Sequence, residues 1–400
     1  NYFTLVNALR HTWVLFQEIP GLFGFVHPST KERMYEDVRC EGFDQVAEWV
    51  KDTGIDVSAA GAVWPFGEQQ TPGTLYGNEE MEFIREGIGD YRNWRDEVHK
   101  RSVNVPCLPY MNIHLCRLVD DKTLDDLNAR LPGCLIHDAY GTPVAYRSGW
   151  LYCVLPTVEN ASGKHLEDVM RFYMDECGFE GIYLDEWDHS RARVSFSHED
   201  GMSALLDAEG RIARKVAMVP IAVRAYHEAF CQELVDRDAF IFANQFDDTL
   251  AAAQLPIVHF AEPAGTYDSY LISAAQCSRS PLSLNLKDTR GIWTDAKEFL
   301  RRGVLLCYYW KYFHGDHLLK RCFPITVREL WPGVVIGDDR IITCASGTFT
   351  LNRDKPLTAY IYSGPDAQLH TTLPANATVN GHSAVKLDLT DDQIAVVMEE

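Results

Sequence analysis

The most regular feature of this chain is an alternation of short apolar runs with segments whose apolar residues have helical spacing. The runs are rich in β-branched or aromatic residues and end in polar clusters, which is typical of buried strands that alternate with helices. Eight runs of this kind occur, at residues 22–26, 55–59, 105–110, 182–184, 240–243, 257–261, 282–284 and 304–309.

The segments between the runs predict helices. The clearest stripe, at positions i, i+3, i+4, i+7, i+8 and i+11, precedes the fourth run and consists of Leu166, Val169, Met170, Tyr173, Met174 and Cys177. Shorter stripes lie at 43–50 and 296–300. Residues 211–236 are interpreted as a longer helical region, in which Pro220 marks a kink or the start of a second helix.

Eight strands with crossover helices predict a (β/α)8 TIM barrel over residues 21–325. A doubly wound sheet is the structural alternative, but no GxGxxG motif follows any of the runs. Residues 1–20 are predicted to form a lead-in helix. One face of that helix carries Leu5, Leu9, Trp13 and Phe16. The chain begins with Asn1 rather than Met, which is compatible with the loss of a leader or an upstream domain.

The pattern changes after about residue 325. Short β-type runs alternate with Gly-Asp, Ser-Gly and Asn-Arg-Asp turns, and no helical stripe follows. Residues 334–400 are therefore predicted to be a small antiparallel, β-sandwich-like domain after the barrel.

Composition and charge narrow the classes of partner. The formal net charge of −20 disfavours nucleic acid and anionic membrane surfaces, since both attract a cationic face. No apolar stretch is long enough for a membrane span, and no signal-peptide pattern appears at the start. The eleven cysteines are scattered without a CxxC pair, so we expect free thiols and favour a cytoplasmic location. Nothing in the sequence sets the oligomeric state.

Polar and aromatic residues follow the strand ends, where the loops of a barrel place its catalytic and binding groups. Carboxylates, amides and aromatic rings at one mouth suit a carbohydrate, because rings stack on sugar faces while amides and carboxylates bind hydroxyls. The predicted substrate-binding residues are Trp64, Tyr110, Asn112, His114, Trp187, His189, Arg191, Asn244, Gln245, Tyr267 and Trp310.

Two carboxylates directly follow strands and are the predicted catalytic pair. Asp185 ends the run GIYL, and Glu262 ends the run IVHFA. Glycoside hydrolysis needs one carboxyl group as acid and another as nucleophile or base. Glu262 lies between apolar residues and a proline, which suits a protonated acid, whereas Asp185 lies among charges and suits an ionised nucleophile. Glu186 is the alternative acid.

Other interpretations compete with this one. A carboxylate after a strand is often a helix cap or a loop ion pair. Asn112, His114 and His189 are more readily explained as hydrogen-bonding groups than as metal ligands, and a metal-dependent hydrolase usually has a His-x-His after its first strand, where only His27 stands. We therefore predict no metal and no cofactor. A non-catalytic carbohydrate-binding barrel remains a further alternative.

The segment "GTPVAY…LYCVLPT…GKHLEDVMRFYMDECGFEGIYLDEW" resembles the central part of (β/α)8 glycoside hydrolases. Phe179, Gly181, Leu184 and Asp185 match their "GFDGIYLDE" layout, and the architecture resembles the α-galactosidase-like superfamily. That resemblance implies a retaining mechanism with Asp185 as nucleophile and Glu262 as acid/base, although the superfamily has Asp at the latter position.

The adjacency of Asp185 and Glu186 also resembles hexosaminidase-type enzymes, which use substrate-assisted catalysis. In that pattern Glu186 would be the acid and Asp185 would orient an N-acetyl group. The resemblance leaves the choice between these two pairs open.

Overall fold

The protein is represented by a computed structural model, which describes residues 1–25, 43–60, 76–101, 105–118, 122–147, 149–245, 250–263, 279–286, 291–309 and 311–399. The chain divides into two compact units. Unit 1 comprises Asn1–Ser58, Asp96–Val105 and Val258–Glu400, and unit 2 comprises Ala59–Arg95 and Pro106–Ile257.

The described helices are α1 Tyr2–Trp13, α2 Phe43–Thr53, α3 Met81–Gly87, α4 Gly89–Lys100, α5 Leu124–Arg130, α6 Ala161–Arg171, α7 Val219–Ala222, α8 Arg224–Asp236, α9 Leu250–Ala253, α10 Ile292–Leu300 and α11 Leu319–Cys322. A π-helical turn, Phe172–Glu176, extends α6. None of these helices is long and apolar enough to cross a membrane.

The described strands are β1 Glu18–Ile19, β2 Phe23–Phe25, β3 Val57–Ala60, β4 Cys107–Met111, β5 Leu115–Arg117, β6 Ala145–Arg147, β7 Leu151–Cys153, β8 Gly181–Leu184, β9 Val194–Ser195, β10 Ala204–Leu206, β11 Ile212–Lys215, β12 Ala217–Met218, β13 Phe240–Asn244, β14 Val258–Phe260, β15 Leu282–Leu284, β16 Leu305–Cys307, β17 Ile325–Trp331, β18 Val334–Gly337, β19 Arg340–Thr343, β20 Gly347–Phe349, β21 Leu357–Ser363, β22 Gln368–Pro374, β23 Ala377–Val379, β24 His382–Leu387 and β25 Gln393–Glu399.

All eight apolar runs form strands, as predicted: they are β2, β3, β4, β8, β13, β14, β15 and β16. In unit 2, β8 lies between β4 and β13 and is parallel to both, with Tyr183 opposite Tyr110 on one side and Phe242 on the other. In unit 1, β15 and β16 are also parallel. The protein is thus a mixed α/β protein, and the carboxyl ends of β4, β8 and β13 meet at one edge.

The stripe before β8 is confirmed, with one local difference. Leu166, Val169 and Met170 in α6 are buried, and so are Tyr173 in the π-helical turn and Cys177 directly after it, whereas Met174 is only half-buried. The wider π-helical turn changes the helical spacing in the last part of the stripe, which is where Met174 departs from the prediction.

The helical interpretation of residues 211–218 is wrong. Here β11 pairs with β10 as an antiparallel hairpin. Asp207 starts its turn by accepting the N–H groups of Glu209 and Arg211, and this local turn outweighs the helical spacing. Helix begins only at Val219, with Pro220 in the first turn, so the proline starts a helix as anticipated.

The helix predicted over residues 1–20 is too long: α1 ends at Trp13, because Val14 has the left-handed φ of 56°, and Glu18–Ile19 form β1. The buried face of α1 also differs from the predicted one. Leu5 is 71% exposed, whereas Asn7 and Arg10 are buried. Their side chains donate to backbone oxygens, Asn7 to Leu330 and Arg10 to Val327, so polar contacts rather than the apolar stripe orient the helix.

The carboxyl-terminal part of unit 1 is antiparallel. A seven-stranded sheet has the order β1-β17-β18-β19-β25-β21-β22, and a three-stranded sheet has the order β20-β24-β23. Residues of both sheets share one apolar core, formed by Ile341, Leu357, Ala359, Ile361, Val385, Leu387, Ala395 and Val397.

A Gly181→Ala substitution tests the close approach of β8 and β13. An added Cβ would lie 2.1 Å from the carbonyl oxygen of Phe240 in β13, so the strands would have to separate. We expect the free energy of unfolding to fall by about 3 kcal/mol in urea titrations. Gly89→Ala is the matched control, because its added Cβ would have no neighbour within 4 Å. Equal urea midpoints for the two variants would contradict the close packing of β8 against β13.

Candidate active site

Asp185 and Glu186 follow β8 without an intervening residue. The four residues of β8 are all buried, and the backbone N–H of Asp185 continues the pairing by donating to the oxygen of Met111 at 2.8 Å. Asp185 is itself only 7% exposed. The apolar strand therefore fixes the backbone that carries the two carboxyl groups.

Three side chains donate to the Asp185 carboxylate. The Tyr110 hydroxyl lies 2.5 Å from Oδ2, and the Tyr183 hydroxyl and Asn244 Nδ2 lie 3.1 and 2.9 Å from Oδ1. Burial and the charge of Asp185 raise the pKa of Tyr110 well above its ordinary value, so this hydroxyl keeps its proton. Both oxygens of Asp185 thus act as hydrogen-bond acceptors.

Glu186 occupies a different local environment. Its backbone has φ 49°, in the left-handed region that a glutamate rarely adopts. Its Oε2 accepts hydrogen bonds from Asn112 Nδ2 at 2.9 Å and the Ser190 hydroxyl at 2.5 Å. Burial, together with the nearby charge of Asp185, raises the pKa of Glu186 to about 7. This carboxyl group can therefore exchange a proton near neutral pH.

The end of β4 connects the two carboxyl groups. Tyr110 donates to Asp185, and Asn112, two residues later, donates to Glu186. Residues two apart along an extended chain point to the same side, so Tyr110 in β4 and Asn112 directly after β4 can each reach one of the two acids.

The end of β13 holds the turn that follows β8. The oxygen of Asn244 accepts the N–H of Trp187 at 2.9 Å, and Gln245 Oε1 accepts the N–H of His189 at 3.2 Å. Gln245 has φ 83°, a second left-handed residue at the same edge. Backbone strain of this kind often occurs at functional sites.

Trp187 and His114 are buried rather than presented to a ligand. The Trp187 ring is fully buried and stacks on His227, with centroids 3.8 Å apart. His114 Nε2 donates to the oxygen of Trp187 at 3.1 Å, and burial lowers the pKa of His114 to about 4, so it is neutral. In this structure Trp187 supports the turn from within the core instead of forming a stacking platform.

The other predicted residues of this turn are more accessible. His189 is partly exposed, and its Nδ1 lies 2.7 Å from the buried carboxylate of Asp188. Arg191 is exposed and donates to the oxygen of Tyr146 at 3.4 Å. The part of the chain that the structure describes contains no group of three His, Cys, Asp or Glu residues that could hold a metal ion.

The second predicted catalytic residue, Glu262, lies two residues beyond β14 and belongs to unit 1, whereas Asp185 belongs to unit 2. Its side chain is exposed, so the burial anticipated from its apolar neighbours is not observed. Tyr267, Trp64 and Trp310 lie outside the described residues.

Three residues of the site were not identified from the sequence. Tyr183 carries a signal that could have been used, since it precedes Asp185 by two positions and so shares its face of the strand. Ser190, which donates to Glu186, and His227, which stacks on Trp187, carry no comparable signal because their contacts arise from the turn and from α8.

Comparison with solved structures finds proteins with a similar fold. A GH31-family sulfoquinovosidase from E. rectale, bound to an aza-sugar inhibitor, matches with a TM-score of 0.52 and 12% identity over 100% of this chain and 65% of that chain. A mutant of Kfla1895 has a TM-score of 0.50 and 12% identity over 99% of this chain and 64% of that one. A maltogenic α-amylase, AmyB from Thermotoga neapolitana, has a TM-score of 0.48 and 9% identity over 95% and 98%.

These identities are low, so the first two matches show a shared fold and nothing about substrate. The chain spans about 65% of the sulfoquinovosidase. No protein-family model matches the sequence. A search of curated proteins likewise finds no match.

Proposed function

We propose that the protein is a glycoside hydrolase in which Asp185 is the central catalytic carboxylate. The observation that carries this proposal is the adjacent pair at the end of β8. One carboxylate accepts three hydrogen bonds, and its neighbour, Glu186, has a pKa near 7. Glycosidases bind and cleave sugars with two carboxyl groups in different protonation states. The shared fold with a sulfoquinovosidase supports the same class.

We further propose that the chain forms a complete (β/α)8 barrel over residues 21–325, with a lead-in segment at 1–20 and a β-domain at 334–400. The eight strands in the predicted order and the parallel pairing of β4, β8 and β13 support this arrangement. In such a barrel, Asp185 would lie at the catalytic mouth.

The mechanism that we favour is retaining. Asp185 attacks the anomeric carbon while Glu262 gives its proton to the departing oxygen, and a glycosyl-enzyme ester forms. Glu262 then takes a proton from water, whose oxygen attacks the anomeric carbon and releases Asp185. Tyr110, Tyr183 and Asn244 position the nucleophile. Glu262 itself is exposed to solvent.

The raised pKa of Glu186 favours a second candidate within the same class. In an N-acetylhexosaminidase, Glu186 would protonate the leaving group and Asp185 would orient the substrate's acetamido group as its oxygen attacks. A pKa near 7 suits a general acid at neutral pH.

A panel of nitrophenyl glycosides tests the proposal, with neutral, uronic and N-acetylated sugars in both anomeric forms. We expect nitrophenol release from at least one member. Turnover confined to N-acetylhexosaminides would favour the Asp185–Glu186 mechanism. Saturable binding of sugars with no turnover across the panel would instead support a carbohydrate-binding protein.

Tyr110→Phe tests the hydrogen bond to the nucleophile. The change removes a hydroxyl that lies 2.5 Å from Asp185 but keeps the ring. We expect kcat to fall roughly 10- to 100-fold, because a charge-assisted hydrogen bond contributes about 1.5–3 kcal/mol. Tyr226→Phe is the control, since that buried hydroxyl has no hydrogen-bond partner among the described residues. Equal rates for both variants would remove Tyr110 from the mechanism.

A further inference from the structure

Arg117, in β5, is a buried cation that makes no ion pair in the described ranges, although the buried Glu79 attracts it through space. It is 9% exposed, and its guanidinium carbon lies 5.4 Å from the ring centre of Phe83 and 5.9 Å from that of Trp150. No described residue makes a hydrogen bond or an ion pair with its guanidinium. Its five N–H donors are therefore available to a ligand.

Arg117 lines a cleft on unit 2. The cleft opens to solvent. Its walls are formed by Glu80, Arg117, Leu118, Lys122, Asp126, Leu127 and Arg130. Three cationic and two acidic side chains thus line it, which leaves an excess of positive charge on a chain whose net charge is −20.

The second guanidinium in the cleft belongs to Arg130, and only one of its two terminal nitrogens makes hydrogen bonds in the described ranges. Arg130 Nη2 donates to the oxygen of Asn78 at 2.6 Å and to Cys116 Sγ at 3.0 Å. Its Nη1 is buried and has no hydrogen-bond partner in the part of the chain that the structure describes. Arg130 therefore contributes its positive charge to the cleft, while its Nη1 is shielded from solvent.

The acidic groups nearby have other partners. Asp126 accepts from the N–H and hydroxyl of Thr123 and caps α5. Glu80 lies 3.7 Å from Lys122 in an exposed pair, which contributes little. Glu79, fully buried, attracts Arg117 through space, but its oxygens accept backbone N–H groups.

We propose that this cleft binds a small oxyanion group, a carboxylate or phosphoryl group, with Arg117 as its principal ligand and Lys122 and Arg130 beside it. The planar guanidinium can donate two parallel hydrogen bonds to such a group. The rings of Phe83 and Trp150 lie beside the guanidinium and restrict its motion, which limits the entropy lost on binding.

Two sources of the oxyanion are distinguishable by experiment. Inorganic phosphate represents a free anion, and D-glucuronate represents an acidic sugar, with D-glucose as the neutral comparison. Titration calorimetry at constant ionic strength should show saturable binding of phosphate or glucuronate, and none of glucose. Binding of phosphate alone identifies a free anion, and binding of glucuronate identifies a charged sugar. No binding of either anion overturns the proposal.

The substitution Arg117→Met should lower the affinity for the anion at least about tenfold, because a charged hydrogen bond is lost. Arg85→Met is the matched control: Arg85 also lies over an aromatic ring, that of Phe172, but is paired with Glu176. Lys122→Met is a second variant, at a half-exposed side chain, and should lower the affinity severalfold. It tests the site if Arg117→Met does not fold. Unchanged affinity in both Arg117→Met and Lys122→Met would refute the site. Binding is measured without turnover, so it is independent of the proposed glycosidase activity.

Discussion

Asp185→Asn is expected to lower kcat on the active glycoside by roughly 10⁴-fold or more, because it removes the nucleophile. The amide nearly matches the carboxylate in shape, and its oxygen can still accept from Tyr110 or Tyr183. Its NH2 group faces other donors, so we also expect a stability loss of about 1–2 kcal/mol. Steady-state kinetics and urea unfolding of the same preparation measure the two effects.

Azide rescue of Asp185→Ala separates the two mechanisms. In the covalent mechanism, azide can enter the vacated space and attack the anomeric carbon, giving a glycosyl azide of inverted configuration. In the substrate-assisted mechanism the acetamido group is the nucleophile, and azide should give no such rescue. An Asp185→Asn variant with activity within tenfold of the native protein would exclude Asp185 as the central carboxylate.

Glu186→Gln is expected to stabilise the protein at pH 8 but not at pH 4. Burial and the Asp185 charge raise the pKa of Glu186 from 4.5 to about 7 in the folded protein. Below pH 4.5 Glu186 is protonated in both the folded and the unfolded chain, so its ionisation does not lower the stability of the protein. Between pH 4.5 and 7 only the unfolded chain ionises, and stability falls. The loss above pH 7 is about 3 kcal/mol, which the neutral glutamine avoids.

The amide oxygen introduced by Glu186→Gln can accept from Asn112 and Ser190 as the carboxylate does, so the comparison isolates the charge. Urea titrations of both proteins from pH 4 to 8 measure the effect. A stability difference that stays constant over this range would mean that the pKa of Glu186 is not raised.

The same variant identifies the catalytic acid. If Glu186 is the acid, Glu186→Gln should remove the alkaline limb of kcat/KM near pH 7 and lower the rate by about 10²–10⁴-fold. If Glu262 is the acid, Glu262→Gln should show these changes, while Glu186→Gln keeps activity within about tenfold. Urea unfolding of the Glu262→Gln variant checks that a change in rate does not come from a loss of stability.

The pattern of the sequence was sufficient for the strands but not for every segment between them. Apolar runs bounded by polar clusters marked all eight strands, because a buried strand must be apolar along its whole length. The hairpin of β10 and β11 was missed, since all four residues of β11 are exposed and carry no burial pattern. The orientation of α1 was missed because Asn7 and Arg10 bind backbone oxygens that are distant along the chain.

The same distinction between local sequence and tertiary contacts applies to the candidate active site. The sequence by itself determined that Asp185 and Glu186 follow a buried strand, because chain order and strand periodicity are local properties. Only the tertiary structure decided what surrounds them. It placed Tyr110, Asn112 and Asn244 on the two carboxyl groups, gave them different environments and buried Trp187. Desolvation and hydrogen bonding depend on neighbours from other strands, and these forces set the chemistry of a carboxyl group more than its place in the chain does.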